Sequence, residues 1–252
     1  RYTKTIELHR VKAEMSYSAD EYFSLVYDSL AQSALTQLDD LTGTELEAAE
    51  TALFRQAIME SVRATMWLGK TAREEGLNTF DGFLHRILSD AEEQEIPTEM
   101  YESVSADNAD ERLRSVWDNA SEELRNMRSE GQLAFFVTTD VYGAYEDSLE
   151  VADNEAAYRV RQDGPGSLMF KGIPVIDMKL GGYLAKYYDL GVSFILLTDR
   201  RNLALALNTG DFPGSEVRMW YNPDLMENRQ RAIFMAGCDY LLPELVSLGY
   251  AQ

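Results

Sequence analysis

Between Thr44 and Gly69 apolar residues recur every three or four positions. Leu46, Ala49, Leu53, Ala57, Ser61, Ala64 and Leu68 fall along one stripe, and Phe54, Ile58, Val62 and Met66 widen it. That spacing predicts a single helix buried on a broad face. Thr44 with Glu47 forms a capping box, and Glu45, Glu47 and Glu50 suit the positive end of the helix dipole. Arg63 and Lys70 stand toward the negative end, and Gly69 is expected to close the helix in the left-handed conformation. A helix of about 24 residues is about 36 Å long, enough to be the backbone of a domain.

Before it, Ile6 and Leu8 alternate with polar residues, and so do Val11, Ala13 and Met15, but the parity changes across His9 and Arg10. A strand with a bulge, preceded by a projecting arm, is the expected result. Ser18 with Glu21 starts a second capped helix that ends near Asp39. After Gly69 the pattern predicts a short helix over Phe80–Leu88 and a loop around Pro97 and Ser103–Asn108. One helix over Ala109–Glu130, stopped by Gly131, follows.

From Leu133 the character changes to strands. Leu133–Thr138 reads as buried, and Thr139 is expected to cap a helix through Leu149. Gly164-Pro165-Gly166 predicts a turn ahead of one strand over Leu168–Ile176, in which Pro174 marks an edge or an end. Gly181-Gly182 opens a helical turn over Tyr183–Tyr188. Phe194–Leu197 and Leu203–Leu207 read as two buried strands joined by Thr198–Asn202. Beyond the turn at Gly210–Ser215, Val217, Met219 and Tyr221 alternate with Glu216, Arg218 and Trp220. In the last strand Ala232, Phe234, Ala236, Cys238, Tyr240 and Leu242 share one face, and Arg229, Arg231 and Asp239 share the other. Antiparallel strands covered on one side follow from that alternation. The class is α+β, with helices early and strands late and no internal repeat.

Composition narrows the functions. Forty-three acids against 23 bases give a formal charge of −20, which opposes sequence-blind binding of phosphates over the whole surface while allowing a local basic patch. Nine carboxylates and no Lys or Arg lie between Asp90 and Glu111, a solvated acidic face. No apolar run approaches the ~18 residues of a membrane span, so a soluble protein is expected. A single cysteine, Cys238, leaves no internal disulfide and no multi-cysteine metal cluster, and fits an intracellular folding compartment. Arg1 is neither an initiator methionine nor the start of a signal-peptide pattern, so a processed or partial chain is expected.

No catalytic constellation emerges. Gly69-Lys70-Thr71 has Ala64 where a phosphate loop needs its first glycine, and a helix where it needs a strand. His9 and His85 lack partners at ligand spacing, and Cys238 falls on an apolar face as a small hydrophobe. No Gly-x-Ser-x-Gly elbow occurs, and no pair among the 43 acids is singled out for acid and base work. Trp67 and Trp117 suit core packing, whereas Trp220 lies on the charged side of its strand, where an interface is as good a reading as a core. The Asp199-Arg200-Arg201 turn reads as solvated in an isolated chain and as partner-contacting in an assembly.

The order of these pieces resembles the major capsid protein of tailed double-stranded DNA bacteriophages. The stretch Val11-Lys12-Ala13-Glu14-Met15-Ser16-Tyr17-Ser18 is similar to the return of an extended arm into the shell domain. Glu45–Leu68, closed by Met66-Trp67-Leu68-Gly69, resembles the spine helix. Lys171-Gly172-Ile173-Pro174-Val175 is similar to a glycine, apolar, proline, valine strand of that family. Phe194–Asp199, Asn202–Leu205, Arg231–Tyr240 and Pro243–Val246 resemble its C-terminal sheet. The wording is nearest to capsid proteins of gut phages, including crAss-like phages. The family's N-terminal arm and the outgoing half of its extended loop have no counterpart ahead of this first strand.

The resemblance implies a tailed-phage capsid fold, with a long spine helix packed on antiparallel strands and a second, axial α/β domain. A peripheral domain would combine residues 1–80 and 214–252, and the axial domain would be 81–213. The implied function is structural and non-enzymatic, a subunit of an icosahedral shell around double-stranded DNA. It would need no cofactor or metal. Its partners would be copies of itself in hexamers and pentamers, with portal, scaffold or decoration proteins. Assembly in the host cytoplasm and residence in the virion capsid follow from the same resemblance. An assembly surface is expected at Arg200, Arg201, Arg218, Trp220, Arg229 and Arg231. The alternatives are an encapsulin-like compartment and a soluble enzyme using paired carboxylates.

Overall fold

A computed structural model describes residues 4–18, 45–151, 168–187, 193–208, 217–225 and 227–251. The expected helix from Ser18, the Thr44 cap and the turns at 164–166 and 210–215 lie outside these residues. The long helix α1 runs over Glu45–Leu68. Its buried stripe is Phe54, Ile58, Val62 and Thr65, with Ala64, Trp67 and Leu68 joining in the last turns. Leu53 is 60% exposed, and Ala57 and Ser61 are exposed beside it. The expected primary stripe therefore holds at Ala64 and Leu68 but not at Leu53, Ala57 and Ser61, where Phe54, Ile58 and Val62, thought only to widen it, carry the packing. Gly69 is not left-handed either. It is needed because a Cβ there would run into the carbonyl of Phe80, and its own carbonyl accepts from Gly82 N at 2.9 Å.

Two sheets are built on this helix. The first joins β1 (His9–Ser18), β9 (Glu227–Tyr240), β7 (Leu203–Leu207) and β8 (Arg218–Asn222), all antiparallel, with β9 central. β1 pairs with β9 residue for residue from His9 to Ser18, so there is no bulge in it. The parity break in the sequence is instead the point where the chain joins the ladder. Residues before His9 cross β9 as a strap. Glu7 lies against Gly237, where any side chain would collide, and Lys4 Nζ donates to Tyr240 O at 2.6 Å.

The second sheet is mixed, in the order β2 (Thr98–Tyr101), β10 (Val246–Ala251), β6 (Phe194–Asp199), β3 (Leu133–Val137), β5 (Ile173–Asp177) and β4 (Leu168–Phe170). β6 is buried at every position because the sheet is covered on both faces. Phe194 and Leu196 face α1 and α2 (Phe83–Asp90). Ile195 and Leu197 face α3 (Ala109–Asn119) and α5 (Thr139–Val151). β7, read as buried, is half-exposed at the edge of the first sheet.

Other departures have local causes. Helix 109–130 is broken at Ala120, which is extended, because Ser121 accepts from Leu124 N at 3.0 Å and starts α4 (Glu122–Asn126). Gly131 closes the following turn at φ +69°, as expected. Leu168–Ile176 is a hairpin, since Lys171 and Gly172 both adopt positive φ and form a two-residue turn. Pro174 thus sits in an interior strand, one step beyond the pair that closes the turn. Pairing of β5 with β3 begins only at Val175, so the missing N–H breaks no ladder bond there. Thr139 is the first residue of α5 rather than its cap, and its hydroxyl donates to Asp177 Oδ1 at 2.9 Å. β2 hides inside the acidic run, between Pro97 and the Ser103–Asn108 stretch that marked the expected loop.

Ile58→Ala should lower stability by about 2–5 kcal/mol, as for a large-to-small core change. Leu53→Ala should stay within about 0.5 kcal/mol. Urea unfolding of the full chain checks both, and equal losses would contradict the assignment of faces.

Candidate assembly surface

The first half of β9 runs as a three-stranded ribbon with β1 and β8. Register decides what each face shows. Glu14 pairs with Arg231 and Ser16 with Arg229 on one side, and Arg218 pairs with Arg231 and Trp220 with Arg229 on the other. Directly opposite residues share a face, so the outer face carries Arg10, Lys12, Arg218, Arg229 and Arg231 with Glu14 and Glu227. Five cations against two carboxylates make it a basic island on a chain of charge −20.

The carboxylates hold the cations side by side. Glu14 accepts from Arg231 Nε at 2.9 Å and from Lys12 Nζ at 2.7 Å, and Glu227 accepts from Arg229 at 3.2 Å. The hydrogen bond from Lys12, together with both cations' charge, holds the Glu14 carboxyl below its usual range despite some burial. Arg231 lies over the ring of the half-buried Trp220, with its guanidinium carbon 5.1 Å from the ring centre. A shallow groove of ≈ 230 Å³ is bounded by Glu14, Met15, Ser16, Trp220, Arg229, Gln230 and Arg231.

Of the six residues expected from the sequence, four meet here: Arg218, Trp220, Arg229 and Arg231. Arg200 and Arg201 are elsewhere, in a short 3-10 turn between β6 and β7. The Arg201 guanidinium is committed internally, contacting Asp199 Oδ2 and Glu130 Oε2 at 2.6 Å each. Arg200 is exposed, with its backbone N–H donating to Gln132 O. The turn is rigid because Asn202 is buried, donating to Leu242 O and accepting from the N–H groups of Leu241 and Leu242. Arg10, Lys12, Glu14 and Ser16 were missed as site residues. Their signal was present, since they are the polar half of the alternation whose apolar half was read.

Trp67 is buried, while Trp117 is half-buried with Arg128 and Lys171 over its ring. The donors of Gly69-Lys70-Thr71 are already satisfied. Thr71 N and Oγ1 both donate to Asp81 Oδ1, at 2.8 and 2.9 Å, so a carboxylate occupies that loop. Burial raises the Asp81 carboxyl, but these bonds and the charges of His85 and Arg86 bring it below its usual range. Glu14, Asp81 and Asp199 are all held low, the reverse of what a general acid needs. Among the described residues no helix is long and apolar enough to cross a membrane.

No protein-family model matches the sequence, and no curated protein matches it. Solved structures do match along its whole length. A chain of the satellite phage P4 procapsid with its size determination (Sid) protein has a TM-score of 0.58 at 10% identity, over 100% of this chain and 74% of that one. A chain from Gordonia phage Cozz has 0.53 at 13% identity, over 99% and 71%. A chain from the capsid of Myoviridae phage XM1 has 0.51 at 10% identity, over 98% and 74%. The chain has the tailed-phage capsid fold.

Two consequences are measurable. Burial pushes the Cys238 thiol up to about 12, with a smaller lowering by Arg86 and a smaller raising by Asp239, so a thiol reagent at mild alkaline pH should label it only after unfolding. Rapid labelling of the native chain would contradict its burial. The hydrogen bond from Arg201, against a smaller burial effect, lowers the Asp199 carboxyl below its ordinary 3.8. Its contribution to stability is therefore complete above that value and is lost as pH falls through the lower folded value. Asp199→Asn should flatten the acid limb of the stability curve, and an unchanged limb would show that the pair contributes nothing.

Proposed function

We propose that this chain is a structural subunit that assembles with copies of itself into a closed shell around double-stranded DNA, as in a tailed phage. The observation that carries the reading is the cation-rich ribbon, which stands out from a capsid-like body of opposite charge. Such a face is best satisfied by the acidic surface of another copy. Contacts between unlike patches are heterologous and close into rings when the rotation fits, which suits hexamers and pentamers. Arg200 and Arg201, on the separate turn, belong to a second contact in this reading.

The peripheral region would be residues 1–80 with 214–252, and the axial region 81–213. Two strands would cross between them, with 203–207 paired into the first sheet and 246–251 into the second. A charge of −20 per subunit opposes assembly at long range, but screening over ~8 Å at physiological salt leaves only local complementarity to decide it. The same acidity would keep enclosed DNA mobile at the inner wall. No enzymatic step is assigned to the subunit. Portal, scaffold and decoration proteins complete the list of partners, with assembly in the host cytoplasm and residence in the virion.

The native full-length protein should sediment as large particles and protect double-stranded DNA from nuclease. A protein cargo with no nucleic acid would favour a compartment shell instead. A stable monomer at every ionic strength would sink the proposal.

A further inference from the structure

β7 is a bare edge of the first sheet. It bonds to β9 on one side, and among the described residues no strand takes the other. Two bonds at its ends fix which residues face the open side. Leu241 N donates to Asn202 O at 2.9 Å and Asn208 N to Met235 O at 3.1 Å, so positions 202, 204, 206 and 208 turn their backbone groups toward β9. Leu203, Leu205 and Leu207 therefore turn their N–H and C=O groups outward, in a row along the edge.

Sheet edges are ordinarily blunted by charge or by proline, because an open edge templates pairing with another chain. β1 carries Arg10, Lys12 and Glu14, and β8 carries Arg218. β7 is Leu-Ala-Leu-Ala-Leu, with neither charge nor proline, and Leu205 is 40% exposed. The sequence over Asn202–Asn208 also reads the same in both directions. An antiparallel second copy, related by a two-fold axis at Leu205, then sets Leu203 opposite Leu207, Ala204 opposite Ala206 and Leu205 opposite itself. In that register the leucines are the pairs that exchange hydrogen bonds, so every outward group is taken. On a chain of charge −20, this edge also meets its copy with no like charges opposed within the strand pair.

We infer that β7 pairs with β7 of a second copy across a two-fold axis, continuing the first sheet from one subunit into the next. The inference rests on the shell reading and deepens it. Heterologous contacts close rings, whereas this contact is isologous and joins a subunit of one ring to a subunit of its neighbour. A strand of five residues is small beside the ~1,600 Å² of a standard stable interface, so the pairing belongs to the assembled particle and not to the free chain.

Cysteine trapping in the full-length chain tests it. Opposed hydrogen-bonded residues have Cα atoms about 5.5 Å apart, within the range a disulfide spans. Under mild oxidation, particles of L205C should run as a reducible dimer. A204C and A206C should cross-link only when the two variants are assembled together, because each faces the other and not itself. Cys238 is buried and is the silent native thiol in every variant. L205K, which sets two lysines opposite each other, should lose closed particles in sedimentation, with far-ultraviolet circular dichroism and a urea midpoint confirming that the chain is folded. Particles of L205C that give no dimer, or of L205K as abundant as wild type, would overturn the inference and leave the shell reading intact. A wild type that forms no particles would overturn the shell reading itself. If L205C is trapped instead on a different protein, the edge has another occupant and the inference fails.

Discussion

The crossing of α1 with the segment after it is the constraint on which the other packing depends. A Cβ on Gly82 would lie 2.7 Å from Thr65 O, 2.8 Å from Gly69 N and 2.9 Å from Met66 O, so only glycine lets the two backbones touch. This approach brings Trp67 into a nest of rings, 5.4 Å from Phe83, 5.3 Å from Phe136 and 5.9 Å from Phe194. Each such aromatic pair adds about 0.5–1.5 kcal/mol beyond the area it buries. Phe136 and Phe194 belong to the six-stranded sheet, whereas Cys238, whose thiol lies 3.6 Å from Met66 O in α1 and 3.3 Å from Asp81 O, belongs to the other. One helix end therefore joins both sheets. A bulkier residue at position 69 or 82 would separate them together.

Electrostatics has a different place in the molecule. Buried charge is sparse and tied down locally, as where Asp239 meets Lys4 Nζ at 2.9 Å beside the N-terminal strap. The exposed charge is uneven instead, with five cations against two carboxylates on the ribbon's outer face of a chain whose formal charge is −20. Unevenness of this kind contributes little to the stability of one copy, because exposed pairs are worth about 0–1 kcal/mol each. It matters for which surface of another copy is accepted.

The sequence made some features legible and hid others for physical reasons. α1 was readable to the residue because a long period and a glycine stop agree. Its buried face was not, since the Leu53 and Phe54 stripes differ by one position and are similarly apolar, and only the neighbours choose between them. The hairpin at Lys171-Gly172 was missed because lysine rarely takes positive φ, so nothing in Phe170-Lys171-Gly172-Ile173 announces a reversal. Arg218, Trp220, Arg229 and Arg231 were found by alternation, which is local. That Arg201 would be spoken for by Asp199 and Glu130 depends on a partner 71 positions away, and no local pattern carries that.

Reconstruction by electron cryomicroscopy of the particles formed by the full-length chain bears most directly on the central claim. The account predicts closed icosahedral shells of five-fold and six-fold rings, with the outer face of each ribbon against a neighbouring copy. Monodisperse single chains, or open aggregates without that lattice, would contradict it.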